Sequence, residues 1–399
     1  MLKRSYDEIL TAHLAEERQM AFVSGPRQVG KTTTCKGVAS DVRYFNWDDE
    51  VDRRLIVSGA RNVVEHLELA RLGKGKRVVV FDELHKYSRW KTFLKGLFDK
   101  HADALSIVVT GSARLDVYRR GGDSLMGRYF LYRMHPLSEG ELLRPQAPST
   151  PVATPRRLSP AKVRNLWTYG GFPEPYSRAD KRFSTRWQSL RTEQLVREDL
   201  RDLTRIQELD QLEVLVKVLQ ASSSMQVSYS ALAQQVNVSV DTARRWIATL
   251  TSLHHGFLVR PWFRNVKKSL RKEPKYYLRD WSRVDDPGAR AETYVACHLY
   301  KAVQMWQDSG FGTFELHYLR DKNKREVDFV VVRDDEPWFL VEVKASDSTL
   351  SPSLGYFQQQ LSAPHAFQVV MDLPYVDEDA FSREQPTIVP ARTLLSQLP

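Results

Sequence analysis

The run Phe22-Val23-Ser24-Gly25-Pro26-Arg27-Gln28-Val29-Gly30-Lys31-Thr32-Thr33 has the residue types that grip phosphate. An apolar strand end leads into G-x-x-x-x-G-K-T, the phosphate-binding loop of nucleotide hydrolases. Gly25 and Gly30 permit the tight turn. The segment from Gly25 through Pro26, Arg27, Gln28, Val29 and Gly30 to Thr33 is therefore expected to wrap the phosphates with converging backbone N–H groups. Lys31 is expected to reach the β- and γ-phosphates and the Thr32 hydroxyl to hold Mg²⁺. A helix starting near Thr32 adds its positive dipole end. Binding of ATP or GTP follows.

The run Arg77-Val78-Val79-Val80-Phe81-Asp82-Glu83 is a continuous apolar strand ending in two carboxylates, a pattern that suits a central parallel strand. Asp82 can hold Mg²⁺ through water, and Glu83 can orient or deprotonate an attacking water. A third strand, Ser106-Ile107-Val108-Val109-Thr110, exits through Thr110-Gly111-Ser112. A polar side chain there could sense the γ-phosphate, or simply mark a strand-to-turn exit.

A second chemical pattern lies near the C-terminus: Arg325-Glu326-Val327-Asp328-Phe329, then Asp334-Asp335-Glu336-Pro337, then Val341-Glu342-Val343-Lys344. Two apolar strands about a turn predict a hairpin, with Glu342 and Lys344 on one face. Folding about Asp335 brings Asp328 opposite Glu342 to within one residue, at about 5 Å between Cβ atoms. Two carboxylates suit a hard cation such as Mg²⁺, and the ammonium suits water activation. A surface Glu–Lys cross-strand pair is the plainer alternative. Glu292, on a helix opening at Ala291, offers a third carboxylate.

The elements that must position these residues follow from length and punctuation. The chain has 399 residues, enough for two to three domains. Strand and helix signals alternate up to about residue 143. Pro145, Pro148, Pro151, Pro155 and Pro160 then exclude regular structure. The expected organisation is a phosphate-loop ATPase domain at 1–144, a linker at 145–160 and a helical lid at 161–220. A winged-helix region with a basic segment at 221–280 and an α/β domain at 281–399 complete it. Within 228–260, Ser230–Val236 and Asp241–Leu250 read as a helix-turn-helix with its N-cap at Ser239 or Asp241, placing Arg244 and Arg245 toward a groove. A small packing module that never meets DNA is the alternative. Arg264, Lys267, Lys268, Arg271, Lys272 and Lys275 follow, flanked by Trp262, Phe263, Tyr276 and Tyr277. Basic residues beside aromatics can grip phosphates and stack on bases; a solvated loop beside core tyrosines is the alternative.

The net charge of +10 favours a polyanionic partner, DNA before membrane. Two cysteines, Cys35 and Cys297, exclude a disulfide framework. No apolar run reaches membrane-spanning length and the N-terminus lacks a signal-peptide core, so a cytoplasmic protein is expected.

Asp328, then Glu342-x-Lys344 after a hairpin, with Glu292 on a preceding helix, resembles the PD-(D/E)xK restriction-endonuclease-like superfamily. The phosphate loop, Tyr44-Phe45-Asn46-Trp47-Asp48-Asp49, Asp82-Glu83-Leu84-His85-Lys86, Gly127-Arg128, His135-Pro136-Leu137 and Gly170-Gly171-Phe172-Pro173 resemble, in that order, prokaryotic AAA+-type ATPases with a nuclease-like C-terminal domain. That resemblance implies Lys31 and Thr32 as phosphate and Mg²⁺ ligands and Asp82 and Glu83 as the hydrolytic acids. It implies Arg128, with Arg114 as its rival, as an arginine finger acting in a homo-oligomer. It implies Glu292, Asp328, Glu342 and Lys344 as a metal and catalytic set. The expected function is ATP-driven DNA processing with Mg²⁺-dependent cleavage. The alternatives are a nucleotide-controlled DNA switch with a silent nuclease fold, or a protein-remodelling ATPase.

Overall fold

The computed structural model describes residues 2–67, 76–111, 125–195, 209–263, 273–347 and 349–399. Ser112, Arg114 and the basic residues Arg264, Lys267, Lys268, Arg271 and Lys272 lie outside the described residues. The chain divides into two compact units, Met1–His135 with Pro145–Ala147, and Pro136–Arg144 with Pro148–Pro399. The division at His135/Pro136 comes before the proline-rich stretch.

The first unit is built on five strands: β1 (Met20–Ser24), β2 (Val42–Asn46), β3 (Arg77–Asp82), β4 (Leu105–Gly111) and β5 (Tyr129–Arg133). They pair in the order β2-β3-β4-β1-β5, and every pairing is parallel. β1 and β4 are buried at every position, as strands covered on both faces must be. Helices α1 (Ser5–Glu16), α2 (Lys31–Lys36), α3 (Glu50–Val57), α4 (Ala60–His66) and α5 (Trp90–His101) connect and cover them. In α5, Trp90, Phe93, Leu94 and Leu97 recur at helical spacing and are buried with Phe22, Phe81 and Val109 in one core. Because the strands run the same way, the carboxyl ends of β1, β3 and β4 share one edge, where the phosphate loop, Asp82, Glu83 and Thr110 gather.

In the second unit, helices at Pro160–Tyr169, Pro173–Arg178, Lys181–Gln194 and Leu209–Ala221 lie in the region read as helical, of which residues 196–208 are outside the described residues. Leu137 N donates to Gly171 O at 2.7 Å, and a Cβ on Gly171 would fall 2.6 Å from Leu137 O. The His135-Pro136-Leu137 and Gly170-Gly171 motifs therefore owe their residue types partly to a close backbone approach. The proline-rich stretch is irregular but pinned. Ala153 N donates to Gln397 O at 3.0 Å, and Trp306 Nε1 donates to Pro151 O at 2.7 Å.

Helices Tyr229–Gln235 and Val240–Ser252 stand where the helix-turn-helix is expected. Ser239 is the N-cap, accepting from Thr242 N at 3.1 Å. Ala243, Trp246, Ile247 and Leu250 face the core, leaving Arg244 and Arg245 exposed. An antiparallel pair, β6 (Gly256–Pro261) and β7 (Lys275–Leu278), follows. It extends a mixed seven-stranded sheet, β12-β11-β10-β9-β8-β6-β7, whose other members are Phe314–Arg320, Glu326–Arg333, Glu336–Lys344, His365–Val370 and Thr387–Pro390 for β8 to β12. Tyr276 and Tyr277 are wholly buried, so the base-stacking role expected of them is corrected to a core role. No helix among the described residues is long and apolar enough to cross a membrane.

Candidate functional site

The phosphate loop joins β1 to α2. Gly25 (φ 152°) and Gly30 (φ 105°) take backbone conformations that L side chains rarely adopt, and Gln28 is left-handed at φ 62°. A Cβ on Gly25 would sit 2.3 Å from Met134 O, so only glycine fits beside the exit of β5. Pro26 and Val29 are buried, Arg27 is half-buried, and Gln28 and Thr33 are exposed. Lys31 is 7% exposed as a residue, and its ammonium donates to Gly25 O (2.9 Å) and Pro26 O (2.8 Å). Among the described residues no carboxylate pairs with it. Burial lowers its pKa, against the opposing pull of Glu83 and Asp82.

Asp82, at the end of β3, accepts from three hydroxyls. Thr32 Oγ1 (2.8 Å) and Tyr44 OH (2.6 Å) reach Oδ2, and Thr110 Oγ1 reaches Oδ1. Burial disfavours its charge, but the bonds from Thr110, Tyr44 and Thr32, with Lys31 nearby, outweigh that and hold its pKa below the ordinary aspartate value. Thr110 is thus committed to orienting Asp82. Glu83 is left-handed (φ 55°), a conformation that costs of order 1 kcal/mol or more and is common at active sites. Its backbone N–H donates to Thr110 O at 3.1 Å. Burial raises its pKa; Lys31 and Lys86 oppose that, with Lys86 Nζ 3.6 Å from Oε2.

The residues present fit a magnesium nucleotide: a buried cation whose partners among the described residues are neutral, a glycine cradle, and a hydroxyl–carboxylate pair from Thr32 and Asp82. The sequence alone does not reveal two of the residues that hold this site. Tyr44 belongs to a quoted motif, yet nothing in it announces the bond to Asp82. Arg4 is 3% exposed and donates to Val29 O (2.7 Å) inside the loop and to His135 O (2.6 Å). Arg128 stands elsewhere. It adjoins the start of β1, with Met20 N donating to its carbonyl, and pairs with Asp99 through two bonds of 2.7 and 3.1 Å.

In the second unit, Asp334 (φ 50°) and Asp335 (φ 67°) make a tight left-handed turn between β9 and β10. The ladder shifts register between Pro337 and Phe339 and then pairs Val341 with Phe329. The last pair of that ladder, Val341 with Phe329, stands directly beside Glu342 and Asp328, the two residues predicted from the sequence to lie opposite each other. Lys344 Nζ lies 2.9 Å from Glu342 Oε1, and Asp328 Oδ2 accepts from Val343 N at 2.9 Å. Burial, then Asp328, raises the Glu342 pKa.

Glu292 joins this group, but around an ammonium. Lys275, on β7, places Nζ 3.0 Å from Glu292 Oε1, 2.7 Å from Glu326 Oε1 and 3.5 Å from Asp328 Oδ1. Tyr277 OH also donates to Glu292 at 2.6 Å. Burial opposes the charge of Lys275, but Glu292, Asp328 and Glu326 together hold its pKa above the ordinary lysine value. Burial and Asp328 push Glu292 up to about 7. Lys275 is therefore not part of a solvent-facing DNA grip. Among the described residues no group of three or more His, Cys, Asp or Glu side chains is arranged to hold a metal ion.

Residues 17–143 match the AAA domain family. Residues 160–283 and 287–392 match two domains of unknown function, DUF8612 and DUF4143. Two uncharacterised proteins, one from Mycobacterium bovis and one from Mycobacterium tuberculosis, are each 25% identical over 357 residues, covering 84% of this chain and 72% of theirs. Among solved structures, AMPPCP-bound DnaA from Aquifex aeolicus shares 11% identity over 61% of this chain and 86% of its own, with a TM-score of 0.29. A STAND ATPase with a tetratricopeptide-repeat sensor from Pyrococcus horikoshii shares 11% over 76% and 47%, also with a TM-score of 0.29. The family match of residues 17–143 and the geometry of the loop together support a P-loop ATPase domain of the AAA type in the N-terminal unit.

Proposed function

We propose that this protein hydrolyses ATP to remodel or process DNA, acting in the cytoplasm as a homo-oligomer. The observation that carries the ATPase reading is the buried Lys31 ammonium, held among the described residues by two loop carbonyls beside a three-hydroxyl-bonded Asp82. Lys31 and the loop amides would hold the phosphates, and Thr32 and Asp82 the Mg²⁺, which would supply charge neutralisation there. Glu83, with its raised pKa, suits proton acceptance from water. Arg128 would have to release Asp99 to act on a neighbouring subunit, which leaves Arg114 as its rival.

DNA as partner is supported by the net charge of +10 and by the exposed Arg244 and Arg245 on a capped second helix. The test is ATP turnover with and without single-stranded, duplex and branched DNA. Stimulation by one of them, weakened by joint Arg244→Ala and Arg245→Ala substitution, is expected. Turnover indifferent to every DNA, with no DNA binding at low salt, would favour protein remodelling instead.

A second reading is Mg²⁺-dependent strand cleavage by a restriction-endonuclease-like C-terminal region. It is favoured by the placement of Glu342, Lys344 and Asp328 on one hairpin. On that reading Glu342→Ala abolishes cleavage and spares ATP turnover.

A further inference from the structure

The carboxylates of the second unit already hold a cation supplied by the chain. The three N–H donors of Lys275 meet three carboxylates, those of Glu292, Glu326 and Asp328. The second oxygen of Glu326 takes Arg320 Nη1 at 3.0 Å, and the second oxygen of Asp328 takes Val343 N. The backbone around Lys275 is fixed from two sides. Lys275 pairs with Val259 in the β6–β7 ladder and bridges to Gln226, while the residue on either side of it is hydrogen-bonded to Val227 or to Ser224 and Met225. Its ammonium is therefore preset among the acids rather than swung in from solvent.

Mg²⁺ requires near-octahedral oxygens at about 2.0–2.1 Å and retains several waters. Lys275 Nζ stands 2.7–3.5 Å from the same carboxylates and is 5% exposed as a residue, so the point where their oxygens converge is filled by its ammonium and holds no room for a hydrated Mg²⁺.

We infer that Lys275 is the resident cation of this site, replacing a divalent metal, so that the C-terminal carboxylate cluster is closed to Mg²⁺ and does not cut DNA. The inference bears on the cleavage reading alone and is independent of ATP hydrolysis.

The experiment is Mn²⁺ binding to the full chain without nucleotide, followed by electron paramagnetic resonance. Wild-type protein is expected to bind no Mn²⁺ that Asp328→Asn removes. Lys275→Ala is expected to gain one equivalent, lost again when Asp328→Asn is added. Asp328-dependent Mn²⁺ binding by the wild type overturns the inference, as does a folded Lys275→Ala protein with no gain. Should Lys275→Ala not fold alone, its rescue by Mn²⁺ supports the inference and failure of rescue overturns it. ATP turnover, assayed on the same wild-type preparation, reports on the ATPase reading separately.

Discussion

Arg4 offers the sharpest test of how the phosphate loop is held. Its guanidinium bridges Val29 O, within the loop, and His135 O, just beyond β5. Tyr6 reinforces the same joint, donating to Arg133 O at 2.8 Å and accepting from His135 N at 3.1 Å. Arg4→Met keeps most of the aliphatic stem and removes both donors, leaving two buried carbonyls without them. Each such acceptor costs about 1–3 kcal/mol, so the pair sums to roughly 2–6 kcal/mol. For a unit of this size that lowers the melting temperature by roughly 7–21 °C. If about 1.4 kcal/mol of the loss falls on ordering the loop, nucleotide affinity drops about tenfold. Thermal unfolding with and without nucleotide, together with titration of a fluorescent ATP analogue, reads both effects. A variant with wild-type melting temperature and wild-type affinity would refute the reasoning.

Glu83→Gln is expected to lower turnover by about 100-fold or more while nucleotide still binds; unchanged turnover would remove Glu83 from the role of base. Glu83 must be ionised to accept a proton, and burial raises its pKa, so the acid limb of the rate profile should lie above the ordinary glutamate value of about 4.3. Lys86→Ala should move that limb further up, and a downward move would contradict the assignment. Gly25→Ala places a Cβ 2.3 Å from Met134 O and should abolish nucleotide binding, measured by the same titration. Asp82 has a lowered folded-state pKa, so its contribution to stability is present above about pH 3.9 and is lost as pH falls through the folded value. Tyr44→Phe should shrink that contribution in acid unfolding curves, and an unchanged curve would count against the bond.

The local parts of the fold were legible in the sequence. The glycine spacing of the loop, the apolar run ending at Asp82 and the Asp334-Asp335 turn each declare their geometry within a few residues. The parallel sheet follows from those runs and their helical crossovers. What escaped depends on distant partners. Arg4 lies 25 residues from Val29 and 131 from His135 along the chain, and no motif links them. Lys275 lies 53 residues from Asp328 and closes the basic run that begins at Arg264, so composition alone places it in a solvent-facing grip. Tyr276 and Tyr277 looked like stacking platforms for the same reason, although β7 buries both. Proline density marks a linker at 145–160, whereas the compact units divide first at His135/Pro136 and the first unit takes back Pro145–Ala147. Pro136–Arg144 instead anchors in the second unit, where Glu141 and Lys301 form a buried ion pair of 2.5 Å.

The central claim is that this chain hydrolyses ATP at the Lys31, Thr32, Asp82 and Glu83 site. The most direct measurement is steady-state ATP hydrolysis by the purified wild-type chain and by Lys31→Ala, with folding of both checked by circular dichroism. Mg²⁺-dependent hydrolysis by the wild type and its loss in the folded variant are predicted. Undetectable hydrolysis by the folded wild type, or undiminished hydrolysis by Lys31→Ala, would contradict the account.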